Sequence, residues 1–374
     1  MATNIGFLLP RSTDYPSISF DLLDGLRLNL KRLGLTDVNV ITENIGFGED
    51  ADLNHAKAEK MIIDQDVQLI VVYASNFNAE LLYGLAETSG RPFLFIDPGM
   101  DMSDAPPHPL CHYISLQGLH ACHLVGGLAA QSGKNALAAS SFYDGGYRGP
   151  WSMVNAFNAG GGEVKGNYVS GYRVEEFTIQ VYLDLLKQNI ADVVLANFCT
   201  YLEELFLAEL KKQGEAAVTL PFFCSPFMAE EQQLNKMDFP GGTFHVFVPW
   251  ASSLDNEQNR LMSETLKKEK NKDANIFHLL GWEAAIVVSR LIGNNPGKLS
   301  NFSFESPRGT VTFHPETNHT FAPLYHGMIV QKENGKCRLE VKNAHSIDAT
   351  SHFENFMLRP TGQVSRWKNN FLCI

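Results

Sequence analysis

Short β-branched runs alternate with amphipathic stretches along most of the chain. The run Ile5–Leu9 precedes a stretch from about Ser19 to Leu33 that sets Phe20, Leu23, Leu26 and Leu30 on one helical stripe. The same rhythm predicts strands at Val38–Thr42, Gln68–Val72 and Pro92–Ile96, with helices near Asp52–Ile63 and Asn78–Thr88 between them. Runs such as LIVVYA and PFLFID are apolar throughout rather than alternating. That pattern predicts strands covered on both faces, as in a parallel sheet flanked by helices.

A second series repeats the first. Helices at Leu116–Gln131, Arg148–Ala159, Glu175–Gln188 and Tyr201–Gln213 interleave with strands at Ala136–Ala139, Glu163–Val169, Val193–Ala196 and Thr219–Cys224. The pattern therefore predicts an α/β architecture built twice. After a strand at Thr243–Val248 come helices near Asp255–Lys268 and Asn275–Ile292, then the strand-like pieces Thr310–Phe313 and Tyr325–Gln331. These are too few for a third domain and are expected to complete the first two. From about Ser346 to Ile374 the periodicity is weak and Pro360-Thr361-Gly362 interrupts it, which predicts an irregular strap or short turns.

Composition narrows the class of function. With 374 residues, 44% hydrophobic and 19% charged, the chain can bury a core of roughly two domains, and disorder or a coiled coil is excluded. The formal charge of −11 disfavours phosphate backbones and anionic lipid heads. The one dense basic stretch, KKEKNK at Lys267–Lys272, reads as the solvated end of a helix. No segment approaches the roughly 18 apolar residues of a membrane span, and Ile5–Leu9 is too short for a signal sequence before Pro10 ends it. The chain thus acts in the cytoplasm, or an export signal has been removed from it.

Cys111, Cys122, Cys199, Cys224, Cys337 and Cys373 form no C-x-x-C pair, and several lie in apolar runs, so they are expected to be mostly buried free thiols. The densest ligand-like cluster is Cys111, His112, His120, Cys122 and His123. Cys111 and His112 point to opposite faces of a strand, so the cluster reads as a strand and a packed helix rather than a metal site. No metal and no cofactor is expected.

In open parallel sheets ligands collect beyond the carboxyl ends of the strands, where helix N-termini and free backbone N–H groups converge. The corresponding loops here are residues 10–17, 73–78, 97–101, 140–148, 197–201 and 225–228, rich in hydroxyls, amides and aromatic rings. They nominate Tyr15, Ser75, Asn76, Phe77, Gly99, Met100, Asp101, Tyr147, Phe198, Thr200 and Phe227 as ligand contacts, joined by Phe277. No nucleophile elbow, zinc-protease motif, phosphate loop or kinase signature is present, and Gly160-Gly161-Gly162 reads as a helix end and turn. Binding without catalysis is the expectation.

The opening IGFLLPRSTDYPSISFDLLDGLRLNL, the stretch ASSFYDGGYRGPWSMVNAFNAGGGEV, the helix GWEAAIVVSRLI and the run SPRGTVTFHPETNHTFAPLYHGMIV resemble type I periplasmic binding proteins. In particular they resemble the substrate-binding components of branched-chain amino-acid-type ABC importers, similar to leucine/isoleucine/valine-binding proteins, over roughly residues 5–335. The resemblance implies two Rossmann-like lobes with parallel central sheets, joined by three crossovers near Ser115–Gly118, Pro249–Ala251 and Phe321–Leu324. Residues 1–116 with 250–322 would form one lobe, 117–249 with 323–345 the other, and 346–374 a C-terminal strap.

It further implies a receptor that closes around a small solute and delivers it to ABC permease subunits, in the periplasm and only peripheral to the membrane. In amino-acid-binding members one lobe holds the carboxylate at positions resembling Ser75 or Asn76 and Gly99 to Asp101. The other contributes a tyrosine resembling Tyr147, a residue near Thr200 and an acidic residue for the ammonium. That acidic position falls at about Phe227, with no carboxylate expected beside it, and Asp101 stands where a threonine is usual. Asp101 or Glu203 could take over the ammonium contact, with Arg11 or Arg148 meeting the carboxylate. The expected ligand is accordingly a small, partly aromatic or apolar solute. A cytoplasmic ligand-sensing regulator of the amide-sensor type, with the same fold, is the alternative.

Overall fold

Two central sheets organise the chain. The computed structural model describes residues 3–74, 76–101, 105–145, 147–293, 299–358 and 371. In the first lobe, β1 (Thr3–Leu9), β2 (Val38–Asn44), β3 (Ile70–Tyr73), β4 (Phe93–Asp97) and β5 (Cys111–Ser115) form a parallel sheet in the order β2-β1-β3-β4-β5. Every residue of β3, β4 and β5 is buried, as their unbroken apolar runs require.

Helices Ile18–Arg32 and Ile276–Gly293 pair on this sheet although they are some 250 residues apart in sequence, which is how the late helices return to the first lobe. Gly25 and Gly281 let the two backbones touch. A Cβ on Gly25 would collide with the His278 carbonyl and come within 3.0 Å of the Trp282 nitrogen, and one on Gly281 would come within 2.8 Å of the Leu26 nitrogen.

The second lobe holds β6 (Asn135–Ser140), β7 (Glu163–Val169), β8 (Val193–Asn197), β9 (Phe222–Cys224) and β10 (Phe244–Val248), all parallel. The chain then forms a separate three-stranded sheet from β11 (Ser303–Ser306), β12 (Gly309–Phe313) and β13 (Thr320–Phe321), tied to the first lobe where Tyr113 N–H donates to the Asn318 carbonyl at 2.9 Å. Finally β14 (Leu324–Gln331) and β15 (Cys337–His345) add antiparallel to β10, so the second sheet is mixed, in the order β15-β14-β10-β9-β8-β6-β7.

Several expectations are corrected. The helix expected at Asn78–Thr88 is two short helices, Asn76–Glu80 and Tyr83–Ser89. The one expected at Glu175–Gln188 is a single 3-10 turn, Val174–Glu176, followed by Gln180–Lys187. The tail is not wholly irregular: Ala349–Met357 is an α-helix, its N-terminus capped by Asp348, whose carboxylate accepts the Ser351 N–H at 2.7 Å. Lys272 is not simply solvated, because its ammonium lies 2.9 Å from both Asp21 and Asp24. Five cysteines are buried free thiols, and Cys373 lies outside the described residues.

The chain crosses between lobes after β5, after β10 and after β13. Gln117, in a left-handed conformation at φ 55°, accepts the Ala322 N–H at 2.7 Å and so ties the first crossing to the third. Arg308, fully buried, donates to both oxygens of the equally buried Glu283 at 2.7 and 2.9 Å and to the Ser115 carbonyl at 2.9 Å. Its own carbonyl accepts the Tyr325 hydroxyl at 3.0 Å. Side chain and carbonyl of Arg308 together thus join the long helix of the first lobe, the small sheet and two of the crossings.

Candidate functional site

The cleft between the lobes holds a cavity with about 470 Å³ of empty space, part of it open to solvent. The first lobe contributes Met100 and Ile276, the second Phe227 and Glu230, and the middle crossing Trp250. Most of the wall is apolar. The described lining residues include two carboxyls, Glu230 and Glu231, and no lysine or arginine.

Local structure places these groups. Gly99 turns the chain after β4 at φ +70°, and a Cβ there would run into the Ser115 hydroxyl and lie 2.7 Å from the Gln117 nitrogen. This turn aims Met100 at the cavity. Asn275 accepts the N–H groups of Phe277 and His278 at 3.0 and 2.9 Å, which begins the long helix with Ile276 and Phe277 at the cleft. After β9 the 3-10 turn Pro226–Ala229 brings Phe227 and Glu230 onto the same wall.

Glu230 is the carboxylate that the sequence reading places nowhere near Phe227. Burial pushes its carboxyl up to about 7, against backbone hydrogen bonds from Gln232 and Gln233 that favour the charged form. Behind it, burial raises the Glu203 carboxyl well above its ordinary value, with Glu230 and Asp144 adding like charge, and one Glu203 oxygen has no hydrogen-bond partner among the described residues. Glu231 instead ties the second lobe to the middle crossing, accepting the Ser252 N–H at 2.7 Å and its hydroxyl at 2.9 Å.

An aromatic box adjoins this wall. Tyr15 and Phe277 meet edge to face with ring centroids 5.3 Å apart. Phe371, at the far end of the chain, lies 5.3 Å from Tyr15, 5.4 Å from Phe277 and 4.7 Å from Phe227. At the rim of the second lobe Phe142, Tyr143 and Tyr172 form an exposed or half-exposed cluster, and the Tyr201 hydroxyl donates to the Tyr172 carbonyl at 2.7 Å. Across the cleft, the Gln233 side chain donates to the Asp14 carbonyl at 2.8 Å.

The nominated residues therefore divide. Met100 and Phe227 border the cavity, Gly99 shapes the turn before Met100, and Tyr15 and Phe277 are buried against Phe371 beside it. Asp101 is buried at a second, smaller cavity beside Ser115, Gln117, His120, His319 and His352, and does not border the large one. Phe198 is wholly buried behind the sheet, stacked on Phe206 at 4.2 Å, a core residue rather than a contact. Thr200 begins helix Thr200–Gln213 at φ 52° and is buried; Tyr147 precedes helix Arg148–Ala159 and is half-buried. Ser75 and the side chains of Asn76 and Phe77 lie outside the described residues. Arg11 is exposed, its guanidinium 5.4 Å over the Phe47 ring. Phe371 and Glu230 were missed: nothing in the periodicity of the tail marks Phe371, and Glu230 reads as the start of a polar helix.

Among the described residues the grouping nearest a metal site is Asp21, Asp24 and His278, within 4.8 Å of one another. Lys272 already supplies the cation there, and Asn275 donates to Asp21 at 2.8 Å. No described helix is long and apolar enough to cross a membrane.

Two lobes with strand ends facing a shared apolar cavity define a hinged ligand-binding protein. Residues 2–336 match the family described as periplasmic binding protein, and the chain belongs to that family. No curated protein matches the sequence. Among solved structures, the chain is similar to an ABC transporter substrate-binding protein from Sphaerobacter thermophilus, at 16% identity and TM-score 0.75, covering 92% of this chain and 97% of that one. It is also similar to an ABC transporter solute-binding protein from Rhodopseudomonas palustris BisB5 in complex with 3,4-dihydroxybenzoic acid, at 17% identity and TM-score 0.73, covering 91% and 96%. A third is a branched-chain amino acid transporter substrate-binding protein from Streptococcus pneumoniae in complex with isoleucine, at 13% identity and TM-score 0.66, covering 91% and 99%.

Proposed function

We propose that this protein is the periplasmic solute receptor of an ABC importer, binding a compact, largely apolar organic molecule between its lobes and handing it unchanged to permease subunits. The observation that carries the reading is the apolar cavity bordered at once by Met100 and Ile276 of one lobe and Phe227 of the other. A solute seated there contacts both walls only when the lobes are together, so its binding energy favours the closed state.

The similar structures carry a hydroxylated benzoic acid and isoleucine in their names, and both have the apolar body this cavity suits. The polar end is where this chain differs. With Glu230 and Glu231 on the wall and no basic side chain among the described lining residues, an anionic carboxylate finds no counter-charge. A neutral hydrogen-bond donor or an amine matches Glu230 better. In this reading Met100, Ile276 and Phe227 hold the apolar body and Glu230 orients the polar group.

Native mass spectrometry of freshly purified protein, followed by a thermal-shift screen over amino acids, amides, aromatic acids and small amines, tests the proposal. One bound molecule per chain, recovered chemically intact, is expected. Conversion of the compound would contradict a receptor, as would binding that Phe227→Ala leaves unchanged.

A further inference from the structure

Phe371 is the ring that links the two walls of the cleft. Tyr15 and Phe277 belong to the first lobe and Phe227 to the second. Among the described residues, the aromatic contact of Phe227 is with Phe371, at 4.7 Å and an interplanar angle of 61°. The contacts of Phe371 with Tyr15 and Phe277 are edge to face, at 87° and 89°. Three protein rings thus surround a fourth at the distances and angles that aromatic pairs prefer. The fourth ring is nearly buried, at 5% exposure, and forms part of the cavity wall. It reaches this position with its backbone in the left-handed region at φ 62°, which an aromatic residue seldom adopts.

We infer that Phe371 occupies the ring subsite of the cleft as a built-in competitor, and that the solute this site takes carries an aromatic ring that displaces it. The inference rests on the receptor reading above and names the solute class for the same site. Its logic is steric and thermodynamic. A ligand ring seated against Tyr15, Phe277 and Phe227 at once would touch both lobes, and Phe371 already makes that bridge. Ring and ligand cannot share the space. The apparent affinity for the solute is then the intrinsic affinity multiplied by the fraction of molecules whose box is vacant. If Phe371 is seated about nine-tenths of the time, its removal strengthens binding by about tenfold. The competitor is tethered, so its effective concentration does not fall on dilution.

The test uses the full chain, as wild type, Phe371→Ala and Phe371→Leu, titrated calorimetrically with benzylamine and benzyl alcohol as ring probes and leucine as the ring-free control. Thermal melts check that the variants fold, and Phe371→Leu keeps apolar bulk at the position should Phe371→Ala unfold. A reduced synthetic peptide of residues 366–374 is then added to the Phe371→Ala chain. The expected result is about tenfold tighter binding of at least one ring probe to Phe371→Ala, little change for leucine, and loss of the gain when the peptide is added. Equal binding of the ring probes by all three chains would overturn the built-in competitor while leaving the receptor reading intact. An equal gain for leucine would overturn the choice of an aromatic solute, as would a peptide that binds Phe371→Ala when neither ring probe does. Failure of peptide and probes alike would overturn the inference as a whole.

Discussion

The side-chain amide of Gln233, in the second lobe, donates to the backbone carbonyl of Asp14, in the first, at 2.8 Å. The acceptor sits one residue before Tyr15, so the bond lies beside the aromatic box and holds the lobes together next to it. A neutral hydrogen bond of this kind contributes about 0.5–1.5 kcal/mol. Gln233→Ala is therefore expected to weaken solute binding by roughly two- to tenfold, and to raise the ligand-free radius of gyration in small-angle scattering. Unchanged scattering and affinity would show that the bond does not bias closure.

Arg308 and Glu283 form a fully buried pair that also holds the Ser115 carbonyl at the first crossing. Removing one partner leaves a buried charge without its counterion, which costs about 3–5 kcal/mol. Arg308→Met is expected to lower the melting temperature by several degrees. Arg308→Met combined with Glu283→Leu should recover much of that loss, because neither charge then remains. A double variant no more stable than Arg308→Met would assign the effect to packing alone.

Glu230 makes stability depend on pH. Its folded-state pKa of about 7 lies above its ordinary 4.5, so its contribution is fully present below 4.5 and is lost as pH rises through 7. The loss is on the order of 3 kcal/mol. Glu203, also raised by burial, acts in the same direction. In chemical denaturation of the ligand-free protein between pH 4.5 and 7.5, Glu230→Gln is expected to flatten much of the decline seen in wild type. A parallel decline in the variant would place the titrating group elsewhere.

Gly99 offers a check on the turn that aims Met100. Gly99→Ala must place a methyl group against Ser115 and Gln117 and hold a positive φ. A destabilisation of about 1–3 kcal/mol is expected. A wild-type melting curve would mean that the turn adapts.

The elements that sequence reveals here are those whose faces are simple. The unbroken apolar runs of β3 and β4 announce buried strands, whereas of the stripe Phe20, Leu23, Leu26 and Leu30 only Leu26 and Leu30 are buried: Phe20 is exposed, and the buried face runs through Leu22 instead. β15 was less visible because it lies at a sheet edge, and its outer half, Val341–His345, is largely exposed and polar. The site was legible only as loops at strand ends. Which side chains of those loops turn into the cleft depends on local geometry that spacing does not carry. Phe198 turns back onto Phe206, Asp101 turns beneath the C-terminal helix, and the 3-10 turn after Pro226 carries Glu230 to the wall. Phe371 is a contact made across the whole length of the chain, and no local pattern encodes it.

The central claim is that one solute is held, unaltered, between Phe227 of one lobe and Met100 and Ile276 of the other. Calorimetric titration of the best thermal-shift compound into wild type and Phe227→Ala, with the compound recovered and weighed by mass spectrometry, tests this most directly. The account predicts one site per chain, an intact compound and at least tenfold weaker binding by a variant that still melts as a folded protein. Identical affinities in the two chains, or a compound returned with a changed mass, would contradict it.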